Sequence, residues 1–235
     1  MAATLTWLGQ AGFILDTGKA KIAVDPFCGT AKGNSERIYP NDIEKGAYKV
    51  DLVLSTHAHW DHFDPETYVD YVIPQALVGP GTVMDALKKS GLSIEGIRLD
   101  RRGTLERCGV KITATYADHD VDSVGYIVEF DGYKLYFSGD TLLTVRTITM
   151  NAGMNPDLMC ICINGKLGNM NAFEAASYVK LVGAKAAIPM HYDMIRHNSE
   201  NPKEFTDAVS RMSPSTRAFV PERKKAYELS GIIGK

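Results

Sequence analysis

The sequence predicts a mixed α/β fold in one domain, residues 1–235, and three observations predict it. Short apolar runs of strand length recur between Gly, Asp and Pro turn signals. Fewer segments carry helical spacing, and each has its own start or stop signal. Nothing in the 235 residues reads as a linker or a low-complexity break. With 45% hydrophobic and 23% charged residues, a chain of this size can bury a sizeable core. A formal net charge of −2 argues against a general nucleic-acid or acidic-membrane binder, which carries a basic face.

The first strands are expected at Thr4 to Leu8, Gly12 to Asp16, Lys21 to Val24 and Leu52 to Ser55, each bounded by Gly, Asp or Pro. Asp64-Pro65-Glu66 then signals a helix, with Asp64 as N-cap and Pro65 at the first helical position, where its missing N–H is harmless. Tyr68, Val69, Val72 and Ile73 continue it at helical spacing. A second helix is expected from about Thr82 to Ser90, stopped by Gly91, and strands resume around Ile97 and from Val110 to Tyr116.

Asp131-Gly132 separates the apolar runs Val124 to Phe130 and Tyr133 to Ser138, the signature of a two-residue hairpin. Beyond it come a strand from Asp157 to Ile163, a helix from Asn171 to Val182 and a strand from Lys185 to Met190. The helix opens on an Asn171/Glu174 capping box and closes at Gly183.

Chemistry concentrates directly after the run that ends at Leu54. Thr56-His57-Ala58-His59-Trp60-Asp61-His62 places three imidazoles and a carboxylate within six residues. A lone histidine at a strand end is as a rule packed or solvated; a cluster of this density is built to hold a borderline divalent ion. Alternate residues of an extended segment point the same way, so His57 and His59 can grip one ion together. Asp61 continues that alternation while His62 points elsewhere, which suggests a second ion beside the first.

The pattern of a ligand at a strand tip recurs. Asp140 follows the return strand of the hairpin within Ser138-Gly139-Asp140-Thr141, where glycine lets the backbone pass closely. His191 follows Met190, and His119 follows the Val110 to Tyr116 strand with Asp118 and Asp120 as rival ligands. Five of the six histidines thus fit one site, and His197 is assigned to the surface. Cys28, Cys108, Cys160 and Cys162 lack zinc-ribbon spacing and read as buried reduced thiols. With no basic, apolar signal at Met1 to Trp7, the expected location is cytoplasmic.

At this point the chain resembles the metallo-β-lactamase-fold hydrolases. His57-x-His59-x-Asp61-His62 matches that family's H-x-H-x-D-H motif, and His119, Asp140 and His191 follow in the order and approximate spacing of its later ligands. Trp7 to Gly12, Val24 to Thr30, Ser138 to Thr141 and Ile188 to Asp193 look most like the branch that contains L-ascorbate 6-phosphate lactonase. Around His119 and across Asn164 to Asn171 the chain departs from that branch's pattern.

The resemblance implies a four-layer αββα sandwich of two similar halves. It implies one ion on His57, His59 and His119, a second on Asp61, His62 and His191, and Asp140 as the bridge. Two such ions, Zn²⁺ or Mn²⁺ with Fe²⁺ also allowed, would lower the pKa of a shared water and supply hydroxide. Asp61 is the expected catalytic group, orienting that hydroxide and passing a proton to the leaving group. Asp25 is expected to support a ligating imidazole from behind, and Lys166, Arg196 and Tyr192 to form an anion-binding rim.

The function these features imply is a metal-dependent hydrolase that opens a small anionic, sugar-derived, phosphorylated or unphosphorylated lactone. The expected partner is that small molecule, with neither nucleic acid nor membrane, and a homo-oligomer is allowed. A phosphodiesterase or nuclease on the same site is the alternative enzyme, disfavoured by the net charge. A non-catalytic metal or ligand binder is the other class, disfavoured by the complete ligand set.

Overall fold

In the computed structural model, which describes residues 2–234, the elements follow in the order β1 (Thr4–Gly9), β2 (Gly12–Asp16), β3 (Lys21–Val24), β4 (Tyr48–Leu54), α1 (Pro65–Asp70), β5 (Val72–Gly79) and α2 (Gly81–Ser90). The second half runs β6 (Glu95–Arg98), β7 (Thr104–Arg107), β8 (Val110–Tyr116), β9 (Val124–Phe130), β10 (Tyr133–Phe137), α3 (Val145–Asn151), β11 (Leu158–Cys162), α4 (Ala172–Val182) and β12 (Ala186–Met190). It ends with α5 (Pro202–Met212), β13 (Arg217–Ala218), β14 (Ala226–Glu228) and α6 (Leu229–Ile233). Met1 and Lys235 lie outside the described residues.

The strands form two seven-stranded sheets, ordered β14-β1-β2-β3-β4-β5-β6 and β13-β12-β11-β10-β9-β8-β7. Each begins as an antiparallel meander and continues with parallel strands: β3, β4, β5 and β6 in the first, β10, β11, β12 and β13 in the second. The two halves therefore repeat one plan. Alternation along the strands sets the layers. Phe13, Leu15, Leu52 and Leu54 join the core shared by both sheets, whereas Ile14 and Val53 join a second core with Tyr68 of α1 and Val83 and Leu87 of α2. On the far side, Ala175, Tyr178 and Val179 of α4 and Phe205 of α5 seal the second sheet. This is the αββα sandwich.

Several local rules hold where they were read. Asp64 caps α1 by accepting from Thr67 N, both halves of the Asn171/Glu174 capping box form, and Gly91 and Gly183 end their helices in the left-handed region. Asp131 and Gly132 both take positive φ, at 43° and 80°, as a two-residue hairpin turn requires.

The structure corrects the reading after Asp70. Val72 and Ile73 do not extend α1; they open β5, which pairs with β4. Pro74 fits within this strand because β6 covers only Ala76 to Gly79, so Pro74 stands beyond that partner's reach. The short strands β7, β13 and β14 and the helices α3, α5 and α6 were not foreseen. Cys108 is exposed at the β7–β8 turn rather than buried; Cys28, Cys160 and Cys162 are buried as expected. Among the described residues no helix is long and apolar enough to cross a membrane.

Candidate metal centre

The loop after β4 is folded tightly enough to turn its side chains onto one point. Ser55 Oγ donates to the carbonyls of both His57 and His62, at 3.1 Å each, and the His59 carbonyl accepts from His62 N at 3.0 Å and Phe63 N at 2.8 Å. His57, Asp61 and His62 are buried, with His59 half-buried at the opening. The other ligands arrive from the tips of β8, β10 and β12, where Gly139 takes φ +60°. A Cβ there would meet Thr56 Cβ at 2.9 Å, so only glycine permits this approach.

All seven expected ligands converge. His57, His59 and His119 form one group, Asp61, His62 and His191 a second, and Asp140 joins His57 and His62 in a third that lies between them. His57 Nε2 is 3.0 Å from His59 Nδ1, which is 3.2 Å from His119 Nε2. In the second group His62 Nε2 is 3.4 Å from His191 Nε2, and His191 Nε2 is 3.4 Å from Asp61 Oδ2 and 3.3 Å from Asp140 Oδ2. Tetrahedral ligands at zinc distances sit about 3.3 Å apart, so these spacings fit divalent ions.

The second nitrogen tests the fit independently for four of the five rings; His191 is the exception, its Nδ1 lying 3.1 Å from the donor Gln10 Nε2. Thr56 Oγ1 gives its proton to Asp25 Oδ2 at 2.6 Å, so toward His57 Nδ1, 3.0 Å away, it can only accept. His57 therefore carries its proton on Nδ1 and turns a lone pair inward. His119 Nδ1 faces the Gly168 carbonyl at 3.1 Å, with the same result, and His62 Nδ1 faces Asp25 Oδ2 at 2.8 Å, so the proton His62 gives up to an ion is the one on its inward Nε2. His59 is reversed: Asp120 Oδ1 lies 3.5 Å from its Nε2, leaving Nδ1 for the site. Asp140 Oδ2 accepts from Asn169 Nδ2 at 2.8 Å, while its buried Oδ1 accepts no hydrogen bond and lies 3.3 Å from His62 Nε2. A cation between them satisfies both atoms.

Protonation follows from the same contacts. Burial, with the neighbouring His62, holds His57 well below the usual imidazole range, so it stays neutral and able to ligate. Burial likewise lowers His59, partly opposed by Asp120. Burial opposes charge on His62 and His191 too, but carboxylates win: Asp140, Asp25 and Asp61 raise His62 well above its ordinary value, and Asp140 and Asp61 raise His191 to about 9. Burial disfavours charge on Asp61 and Asp140 as well, and these imidazoles outweigh it and hold both carboxyls low.

Of the remaining expectations, Asp25 stands behind His62 and Thr56 as predicted. Asp120 reaches the first group, at 3.1 Å from His119 Nε2, whereas Asp118 accepts from Thr144 at the start of α3. The structure does not assemble the anion rim. Lys166 Nζ donates to the His197 carbonyl, Arg196 pairs with Glu36, and Tyr192 is buried with its ring stacked on Trp7 at 4.7 Å. His197 is exposed, as expected, and edges the opening.

Gln10 was missed. Fully buried at φ +50° in the β1–β2 turn, it donates from Nε2 to Asp61 Oδ2 at 2.9 Å and lies 3.1 Å from His191 Nδ1, while its carbonyl accepts from His191 N at 2.9 Å. The available signal was a polar residue inside the apolar, glycine-flanked turn Leu8 to Gly12.

Comparison with known proteins agrees with this fold and with a metal-dependent hydrolase family. A metal-dependent hydrolase of Methanosarcina mazei is 27% identical over 217 residues, covering 87% of this chain and 90% of that protein. Among solved structures, Igni18, a metallo hydrolase of Ignicoccus hospitalis, superposes with a TM-score of 0.75 at 22% identity, over 97% of this chain and 98% of that one. The metallo-β-lactamase fold protein YhfI of Bacillus subtilis gives a TM-score of 0.71 at 16% identity, over 97% and 99%. The family described as "Beta-lactamase superfamily domain" matches residues 4–191, and the chain belongs to that family.

Proposed function

We propose that the chain is a metal-dependent hydrolase that opens a small lactone, with ions on His57, His59 and His119 and on Asp61, His62 and His191, and with Asp140 between them. The observation that carries this reading is the inward-facing nitrogen of four imidazoles, each left for an ion because an acceptor holds the other nitrogen. The name of the Methanosarcina relative, a metal-dependent hydrolase, supports the reaction class, and the resemblance of Trp7 to Gly12, Val24 to Thr30, Ser138 to Thr141 and Ile188 to Asp193 to the lactonase branch supports the substrate.

Two divalent ions bound there would supply Lewis acidity and hydroxide at neutral pH. The chain itself orients and moves the proton. Asp61 lines the pocket; its Oδ2 is engaged by Gln10 and His191, which leaves Oδ1 to accept a proton and return it to the departing ring oxygen. Gln10 holds that carboxylate in place.

The test is turnover of L-ascorbate 6-phosphate and of unphosphorylated lactones by protein reconstituted separately with Mn²⁺ and Zn²⁺, beside a metal-free control. Metal-dependent ring opening is expected. His59→Ala should lose one of two ions by elemental analysis and lose activity with it; full activity in that variant would remove His59 from the site. Absence of turnover across the panel, with two ions per chain verified, would sink the lactone reading.

A further inference from the structure

The pocket in front of the ligands has a volume of about 230 Å³, and Trp60, Leu167, His197 and Asn198 line it beside them. Asn198 is 6% exposed, and its orientation is determined by its neighbours. Asn164 Nδ2 donates to the Lys166 carbonyl at 3.2 Å and to Asn198 Oδ1 at 2.7 Å. A carbonyl only accepts, so the first bond fixes which end of Asn164 is nitrogen. The second then fixes the oxygen of Asn198 toward Asn164. What remains is Asn198 Nδ2, a donor with no partner among the described residues, on a side chain that lines the pocket.

Charge narrows what that donor can meet. No Lys or Arg among the described residues lines the pocket. Two divalent ions would be balanced by the four surrounding carboxylates of Asp25, Asp61, Asp120 and Asp140, so the loaded site offers an anion little net attraction. Trp60 and Leu167 add apolar wall.

We infer that Asn198 Nδ2 is the hydrogen-bond donor that positions the substrate's carbonyl oxygen, and that the substrate is a small lactone uncharged where it enters the pocket. This rests on the hydrolase reading above. Asn164 acts as a positioning residue by holding the amide of Asn198 in the donating orientation.

The experiment uses the metal-loaded full chain and 2-piperidinone, an unreactive ring amide with the same carbonyl, as the binding probe. Asn198→Leu, close in shape and lacking the donor, should keep two ions per chain and bind the probe at least tenfold more weakly. Its kcat/KM on the matching lactone should fall on the order of 10²-fold, the usual effect of losing one donor to a developing oxyanion. Asn198→Ser, which restores a donor, should recover part of both. If Asn198→Leu fails to fold or loses metal, the serine variant and Asn164→Ala decide, the latter by weakened probe binding at full metal content.

Equal probe affinity in these variants, or no binding by the wild type, overturns the assignment. Probe binding that depends on Asn198 with no lactone turnover leaves the subsite standing and removes the lactone reading. Glucono-δ-lactone should be opened at least as well as its 6-phosphate; a tenfold preference for the phosphate overturns the uncharged substrate.

Discussion

Four of the five candidate rings, His57, His59, His62 and His119, turn one nitrogen inward because the other faces an outward acceptor, so those acceptors should control metal affinity. Asp25 is the strongest case, since it receives Thr56 N, Thr56 Oγ1 and His62 Nδ1 at once. Asp25→Asn should weaken metal binding about 10- to 100-fold by competition with a chelator, the usual cost of removing such a partner. Unchanged affinity would show that His62 needs no support. A proton relation follows as well. In the metal-free protein the pKa of His191 rises from 6.5 to about 9, so its contribution to stability is complete below 6.5 and is lost as pH rises through 9. The melting temperature of metal-free protein should therefore fall across that window, and loading the ions, which displace the proton, should flatten the slope. Equal slopes would contradict the pairing. At this scale the histidines and Asp140 were legible because their density and strand-tip positions are local facts. Gln10 and Asn198 were not, since their roles arise from partners 181 and 34 residues away.

Elements matter through where their ends fall. The ligands sit at the tips of β4, β8, β10 and β12, and a loop from the second half, Asn164 to Asn171, closes over them through Gly168 and Asn169. Gly168 takes φ +82°, and a Cβ there would come within 2.8 Å of His119 Nδ1. Gly168→Ala should thus displace His119 and strain the loop, lowering affinity at the three-histidine group while leaving the other ion bound. Stepwise metal titration, one tight and one weakened event, checks this; two unchanged events would mean that the loop simply yields. Turn and cap chemistry made most elements readable, because Asp64, Gly91, Asp131-Gly132 and the capping box act within four residues. β5 escaped because Val72 and Ile73 continue the helical spacing of Tyr68 and Val69, and only the tertiary pairing with β4 makes them strand.

At the scale of the whole molecule the site is a seam. His57, His59, Asp61, His62 and Gln10 come from connections of the first sheet, and His119, Asp140 and His191 from the second, so ions bound there would tie the two halves together across their open edge. Beneath them the shared core is continuous; Phe13 and Phe137 meet across it with ring centroids 5.7 Å apart. Chelation should therefore lower stability without separating the sheets. An ion present at 100 times its dissociation constant contributes about 2.7 kcal/mol, which for a chain of this size is roughly 5–10 °C in melting temperature. Thiol labelling distinguishes loosening from opening. Cys108 is exposed and should react at once in either state. Burial pushes the thiols of Cys28 and Cys162 up to about 12 and raises Cys160 well above its ordinary value, so all three should stay silent in the native chelated protein. Cys160 and Cys162 lie on β11 within the shared core, and their modification at pH 8 immediately after chelation, below the melting transition, would show that the ions and not the core hold the sheets together.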